Sequence, residues 1–140
     1  MIRLIMGSSG AGKTKQLIQL VNTAITEESG CVVCIADSAD MRFDISNKVR
    51  LIDASEYKLS SFETLRGFVS GLYAGNYDIS HVFVDNLCKI VGEEPGVKVE
   101  EFLAWLDKFS FNNGIKFTVT INADPETATE GMRKYLSKMQ

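Results

Sequence analysis

The most constraining feature of the chain is an eight-residue run, Gly7-Ser8-Ser9-Gly10-Ala11-Gly12-Lys13-Thr14. The apolar segment Ile2 to Met6 leads into it. The segment from about Lys13 to Glu28 follows, with Leu17, Leu20, Val21, Ala24 and Ile25 recurring at helical spacing. Strand, glycine turn and amphipathic helix in this order leave few folds open. Glycines let the backbone turn tightly and approach a ligand without a Cβ clash. A lysine at the start of a helix opposes the helix dipole unless an anion is bound there. Such a local conflict points to function.

The rest of the chain alternates strand and helix. Cys31 to Ala36 is an unbroken apolar run, as parallel strands covered on both faces are. Gly30 is the expected stop of the first helix. Asp37 to Asn47 reads as a polar loop, and Val49 to Ile52 as a short strand. Ser60, with Glu63 three residues on, has the pattern of a capping box opening a helix that Gly75-Asn76 ends. His81 to Val84 reads as a strand ending at Asp85, and Asn86 to Val91 as a helical turn. Val99 to Phe111 is a predicted helix, and Ile115 to Ile121 a predicted strand. Asp124-Pro125 has the look of an N-cap with proline at the first helical position, starting a helix that reaches about Lys138. No linker or repeat divides the sequence, so residues 1–140 read as a single α/β domain. The expectation is a three-layer α/β/α sandwich on a mostly parallel sheet of about five strands.

Composition narrows the partners. The net charge of −3 supplies no strong basic surface, so sequence-independent nucleic-acid binding is not expected. No apolar run approaches the roughly 20 residues needed to span a bilayer, and Met1 to Met6 is too short for an export signal. The expected location is the cytoplasm, without membrane attachment. Cys31 and Cys34 are three apart in a strand, where side chains alternate faces. They are expected to point to opposite sides and, with Cys88, to be reduced structural residues.

The run from Gly7 to Thr14 matches G-x-x-x-x-G-K-[ST] in full, with the strand before it and the helix after it that the pattern requires. It resembles the P-loop (Walker A motif) of P-loop NTPases. By that resemblance Gly7, Ser8, Ser9, Gly10, Ala11, Gly12, Lys13, Thr14 and Lys15 cradle the phosphates of a nucleoside triphosphate. Lys13 would reach the outer phosphates as a point charge, and Thr14 would offer its hydroxyl to Mg2+. The strand His81-Val82-Phe83-Val84-Asp85 resembles a Walker B strand, which makes Asp85 the second magnesium partner and, with Lys13, a catalytic candidate. The last strand ends Thr118-Val119-Thr120-Ile121-Asn122. If it lies beside the P-loop strand, Thr120 and Asn122 fall near the γ-phosphate, similar to the sensor position of additional-strand ATPases. Asp124 is better explained as a cap. His81, at the opposite end of its strand, is expected to be structural, because ligands of open α/β sheets bind at the carboxyl ends.

Departures from related patterns shape the functional expectation. The position three after Asp85 is Cys88, where guanine-nucleotide switches carry glycine. Asn47-Lys48-Val49-Arg50 ends in arginine where their N-K-x-D reader has aspartate, which favours ATP. Asn86 follows Asp85 where many additional-strand ATPases place a glutamate, and asparagine cannot take a proton from water. Glu93 and Glu94, in a nearby loop, are the candidate substitutes. The start of the chain is also similar to type II thymidine kinases, but Asp85-Asn86 replaces their Asp-Glu pair, and no cysteine follows Cys88 to build their zinc site. In length the chain resembles a group of small P-loop ATP-binding proteins, some labelled twitching-motility (retraction) ATPases. The extra domain and the His- and Asp-rich boxes of true retraction ATPases are not in this sequence.

These readings lead to a Mg-ATP-binding protein with weak or partner-dependent ATPase activity. An arginine from another subunit of a homo-oligomer, or from a protein partner, would then complete the site. Arg133 is the weak candidate within the chain and reads better as a solvated helix residue. A nucleotide sensor or assembly module is the alternative. A small-molecule kinase is the second alternative, with Asp37 and Asp40 as its only acceptor-side acids, both expected to be solvated loop charges.

Overall fold

A computed structural model of the chain describes residues 1–8, 10 and 12–137. Strand β1 is Ile2–Gly7, and helix α1 is Lys13–Glu27. Strands β2 (Cys31–Ala36) and β3 (Arg50–Asp53) follow. Helix α2 (Phe62–Gly75) leads to β4 (Ile79–Val84). Helices α3 (Leu87–Val91) and α4 (Val97–Asn113) precede β5 (Lys116–Asn122), and a short α5 (Glu130–Arg133) closes the described chain.

The strands form one five-stranded sheet in the order β1-β5-β4-β2-β3, and every neighbouring pair is parallel. The alternating α/β pattern of the sequence leads to this arrangement, because parallel neighbours need a crossover rather than a hairpin. The apolar strand runs are explained by burial on both faces. On one face Val32, Cys34, Ala36 and Phe83 pack against Leu17, Val21 and Ala24 of α1 and against Met41, Ile45 and Val49. On the other, Leu4, Val33, Val84, Phe117, Val119 and Ile121 pack against α2, α4 and Met132 of α5. This is the expected three-layer sandwich. Cys34 lies in the first cluster and Cys31 against the second, so the two thiols are on opposite faces, and both are free.

Several local expectations are corrected. The cap of α2 is Ser61 rather than Ser60. Its side chain accepts the Thr64 amide at 3.1 Å, while the Thr64 hydroxyl accepts the Ser61 amide at 3.2 Å, so a threonine rather than Glu63 completes the box. Gly30 is not a left-handed cap: α1 ends at Glu27, and its extended C-cap is Glu28. Glycine stands at position 30 because an added Cβ would collide with the Asp78 carbonyl oxygen and Ser80. The loop after β2 is not uniformly solvated, since Met41 and Ile45 fold back into the core. Asp124 does cap the Glu126 amide, at 2.9 Å, but only a single 3-10 turn, Pro125–Thr127, follows. Thr129 then caps the separate α5. Past α5 the chain runs back along β1, with the Leu4 amide donating to the Tyr135 carbonyl at 2.8 Å and Ser137 to Leu4 at 2.7 Å. The expected helix end at Lys138 lies outside the described residues. No helix among the described residues is long and apolar enough to cross a membrane.

Candidate functional site

The directions taken by the connections locate the site. After β1 the chain passes to the α1 face, and after β5 to the opposite face, where Ala128 and Met132 are buried. Ligands of open α/β sheets bind in the crevice outside the carboxyl ends of strands that part in this way. The glycine turn occupies that crevice, and Gly7 stands opposite Asn122 in the register of β1 and β5.

Within the turn, Gly10 and Gly12 have φ of 88° and 82°, and apart from their chain neighbours no described residue lies within 4 Å of where a Cβ would stand on either. Gly12 is the N-cap of α1, which has no side-chain cap and no acidic residue in its first turn. The first amides of the helix therefore face the crevice without a carboxylate to satisfy them. Lys13 is 5% exposed, and its ammonium donates to the Ser8 carbonyl over a long 3.4 Å. Burial lowers its pKa, opposed by the charge of Asp85. Thr14 and Lys15 are exposed at the start of the helix. Ser9 and Ala11 lie outside the described residues.

Asp85 follows β4 directly, two strands from β1 with β5 between them. Its amide extends the β2–β4 ladder to Ile35 at 2.8 Å. Burial pushes its carboxyl pKa up; the Thr120 bond opposes the rise, Asp37 adds to it, and Lys13 lowers it. Thr120 is fully buried in β5. Its hydroxyl donates to Asp85 Oδ1 at 2.7 Å and accepts the Asn86 amide at 2.8 Å. Asn86 holds φ +62°, a left-handed conformation that non-glycine residues adopt rarely, asparagine more readily than most. That twist turns its side chain toward Asp37, where Nδ2 donates to Oδ2 at 3.3 Å.

Asp37 is not the solvated loop charge its sequence position suggests. It follows β2, the neighbour of β4, so the fold sets it beside Asp85 and Asn86. Its side chain is 17% exposed and pairs with Lys89 of α3 at 3.2 Å. Strand order, which the sequence pattern leaves open, is the only signal that could have found it. Asp40 is exposed, as expected of a loop charge. Glu93 pairs with Lys98 at 3.2 Å and Glu94 is exposed, and both line a cavity of about 450 Å³ with Cys88, Lys89 and Asn122. Arg133 is exposed on α5, and its Nε donates to the Ala128 carbonyl at 3.2 Å.

His81 lies at the far end of the sheet, 8% exposed. Its Nε2 is 2.9 Å from Thr118 Oγ1, and its Nδ1 lies 3.8 Å from Glu28, which also pairs with Lys116 at 2.7 Å. Burial lowers its pKa to about 4 against the opposing pull of Glu28.

No family model matches the sequence, and no curated protein matches it. Solved structures do match. The flagellar accessory protein FlaH from Methanocaldococcus jannaschii superposes with a TM-score of 0.60 at 13% identity, over 95% of this chain and 65% of that one. This chain shares the α/β fold of that structure. At that identity the likeness is one of architecture, and the chain spans about two thirds of the length of the protein it matches.

Proposed function

We propose that this crevice binds a nucleoside triphosphate as its magnesium complex, and that ATP is the preferred nucleotide. The observation that carries the reading is Lys13, a nearly buried ammonium at an uncapped helix start, whose hydrogen bond to Ser8 is long. A cation held there is unfavourable for the free protein and favourable once a polyanion lies on the turn. The open Cβ positions of Gly10 and Gly12 are suited to the close approach of a phosphate chain. The donors present are the exposed Thr14 hydroxyl in the first turn of α1 and the Asp85 carboxylate held by Thr120. Two oxygen donors fit magnesium, which usually takes one or two protein ligands with substrate phosphates and waters. Thr14 and Asp85 would hold it, and it would supply charge neutralisation between phosphates.

The chain's own residues then have distinct parts. Lys13 balances charge on the outer phosphates. Thr120 fixes the aim of Asp85. Asn122, opposite Gly7, lies at the strand end nearest the turn and would contact the terminal phosphate. Asp37 is the carboxylate suited to orient water: among the described residues both of its polar contacts fall on Oδ2, and Oδ1 can still accept a proton. Asn86 stands directly after Asp85, where a glutamate would be the nearer base, and this supports slow or partner-stimulated hydrolysis.

Calorimetric titration with ATP and GTP in magnesium tests the reading, with Lys13→Ala as control and a phosphate-release assay on the same sample. Magnesium-dependent ATP binding that the variant loses supports it. Release then separates an ATPase from a nucleotide sensor. Absence of binding by the intact protein overturns the proposal.

A further inference from the structure

The carboxyl edge of the sheet has a second crevice. The connection after β2 packs on the α1 face through Met41, Ile45 and Val49. The connection after β3 packs on the opposite face through Leu59 and Phe62. The chain therefore parts between β2 and β3 as it does between β1 and β5, the arrangement that opens binding crevices. A cavity of about 250 Å³ lies there, lined by Asp37, Ser55, Lys58, Ser60 and Lys89 together with the apolar Leu59 and Ile90.

Its charges do not balance. Asp37 is matched by Lys89 at 3.2 Å, but Lys58 has no ion-pair partner among the described residues. The walls thus carry a net positive charge. Backbone strain is concentrated at the same place. Lys58 has φ +53°, and the one other non-glycine residue with positive φ among those described is Asn86, whose side chain bonds Asp37. A lysine in the left-handed region is disfavoured by its Cβ, and a glycine would sit there freely. Residues held in such conformations cluster at ligand clamps.

We propose that this cavity is a second binding site, for a small hydroxyl-bearing phosphate monoester. Lys58 and Lys89 act as point charges toward the phosphate. The Asp37 carboxylate is acceptor-only and takes the hydroxyl of the same molecule. At about 250 Å³ the cavity lies below the roughly 300–1,000 Å³ usual for drug-sized ligands, which favours a small molecule. Asp37 is the wall shared with the nucleotide crevice.

The test is amide NMR of the full chain carrying Lys13→Ala, titrated with glycerol phosphate. That background silences the phosphate-binding turn, so this site and the nucleotide reading succeed or fail separately. Saturable shifts at Ser55, Lys58, Ser60 and Lys89 are expected, with methyl phosphate binding more weakly because it has no hydroxyl. Lys58→Gly removes the ammonium while suiting the backbone, and is expected to weaken binding by roughly tenfold or more with the remote amides unmoved. Lys58→Ala with Lys89→Ala is expected to abolish the shifts. No saturable shift at these residues, or shifts undiminished in Lys58→Gly, overturns the proposal.

Discussion

The Thr120 hydroxyl donates to the Asp85 carboxylate over 2.7 Å, from a strand lying between Asp85 and the glycine turn. The same oxygen accepts the Asn86 amide. One buried threonine therefore orients the carboxylate and satisfies the backbone of the left-handed residue after it. Thr120→Val keeps the shape and loses both bonds. The orphaned amide and carboxylate are expected to destabilise the protein by about 1–3 kcal/mol. Asp85 then titrates still higher, because the bond that held its pKa down is gone. Chemical denaturation and magnesium-dependent ATP titration should both register the loss, and Thr120→Ser should restore them.

Lys13 is expected to stabilise the complex and not the free protein. Burial lowers its pKa, so the ammonium is disfavoured in the folded state without ligand. Lys13→Met should raise the unfolding free energy of the free protein by about 0.5–2 kcal/mol. The same variant should lose the thermal shift that ATP and magnesium give the parent protein. A variant that is both less stable when free and still shifted by ATP would remove Lys13 from the phosphate site.

Asp37→Asn separates binding from turnover. Its carboxylate is proposed to orient water, so phosphate release should fall by roughly 10²–10⁴-fold, the usual scale for loss of a general base. ATP affinity should change little, because the turn and Lys13 are untouched. Removing the Asp37 charge also removes a cause of the raised Asp85 pKa, so Asp85 should titrate lower in the variant. Carboxyl NMR against pH follows that shift directly, and unchanged release would assign the water-orienting part elsewhere.

What the sequence shows and what it conceals follow from how far each signal reaches. The glycine turn, the strand before it and the helix after it depend on neighbouring residues, and they are legible in Gly7, Gly12, Lys13 and the Leu17–Val21 spacing. The strand assignment of Cys31 to Ala36 is equally local, and it put Cys31 and Cys34 on opposite faces correctly. Asp37 was undervalued because its meaning depends on β2 lying next to β4, a pairing between segments that nothing local specifies. The α2 cap slipped by one residue because Ser60 and Ser61 both present a hydroxyl, and Thr64 can close the box as Glu63 can. The long C-terminal helix failed for a packing reason: Ala128 and Met132 are drawn into the core and the following residues along β1, which breaks the helix after one turn and restarts it at Thr129.

Gly30 supplies a purely structural test. Its backbone passes so close to Asp78 that a Cβ would overlap the carbonyl oxygen, and that carbonyl accepts the Cys31 amide at 2.8 Å. Gly30→Ala must therefore shift the start of β2 or the turn before β4. A loss of about 1–3 kcal/mol is expected, as for other overpacked sites. A helix-stop role alone would cost less, because the Gly30 backbone is not in the left-handed region. Urea denaturation distinguishes the two.

His81 gives the protein a pH dependence with a defined sign. In the unfolded chain it titrates near the ordinary histidine value of 6.5, and in the folded protein burial lowers that to about 4. Between those values the unfolded state binds a proton that the folded state refuses, so stability falls as pH drops from 6.5 to 4 and levels below. The full span corresponds to about 3 kcal/mol. Glu28 acts in a lower window. Burial alone would raise its pKa, but the Lys116 hydrogen bond and the nearby positive charge bring it below 4.5, so its contribution is lost only as pH falls further. His81→Gln can keep a bond to Thr118 and cannot titrate. Its unfolding free energy should therefore stay nearly level from pH 6.5 to 5, where the parent protein already declines. Denaturant titrations at half-unit pH intervals resolve the two curves, and parallel curves would show that His81 is not the group responsible.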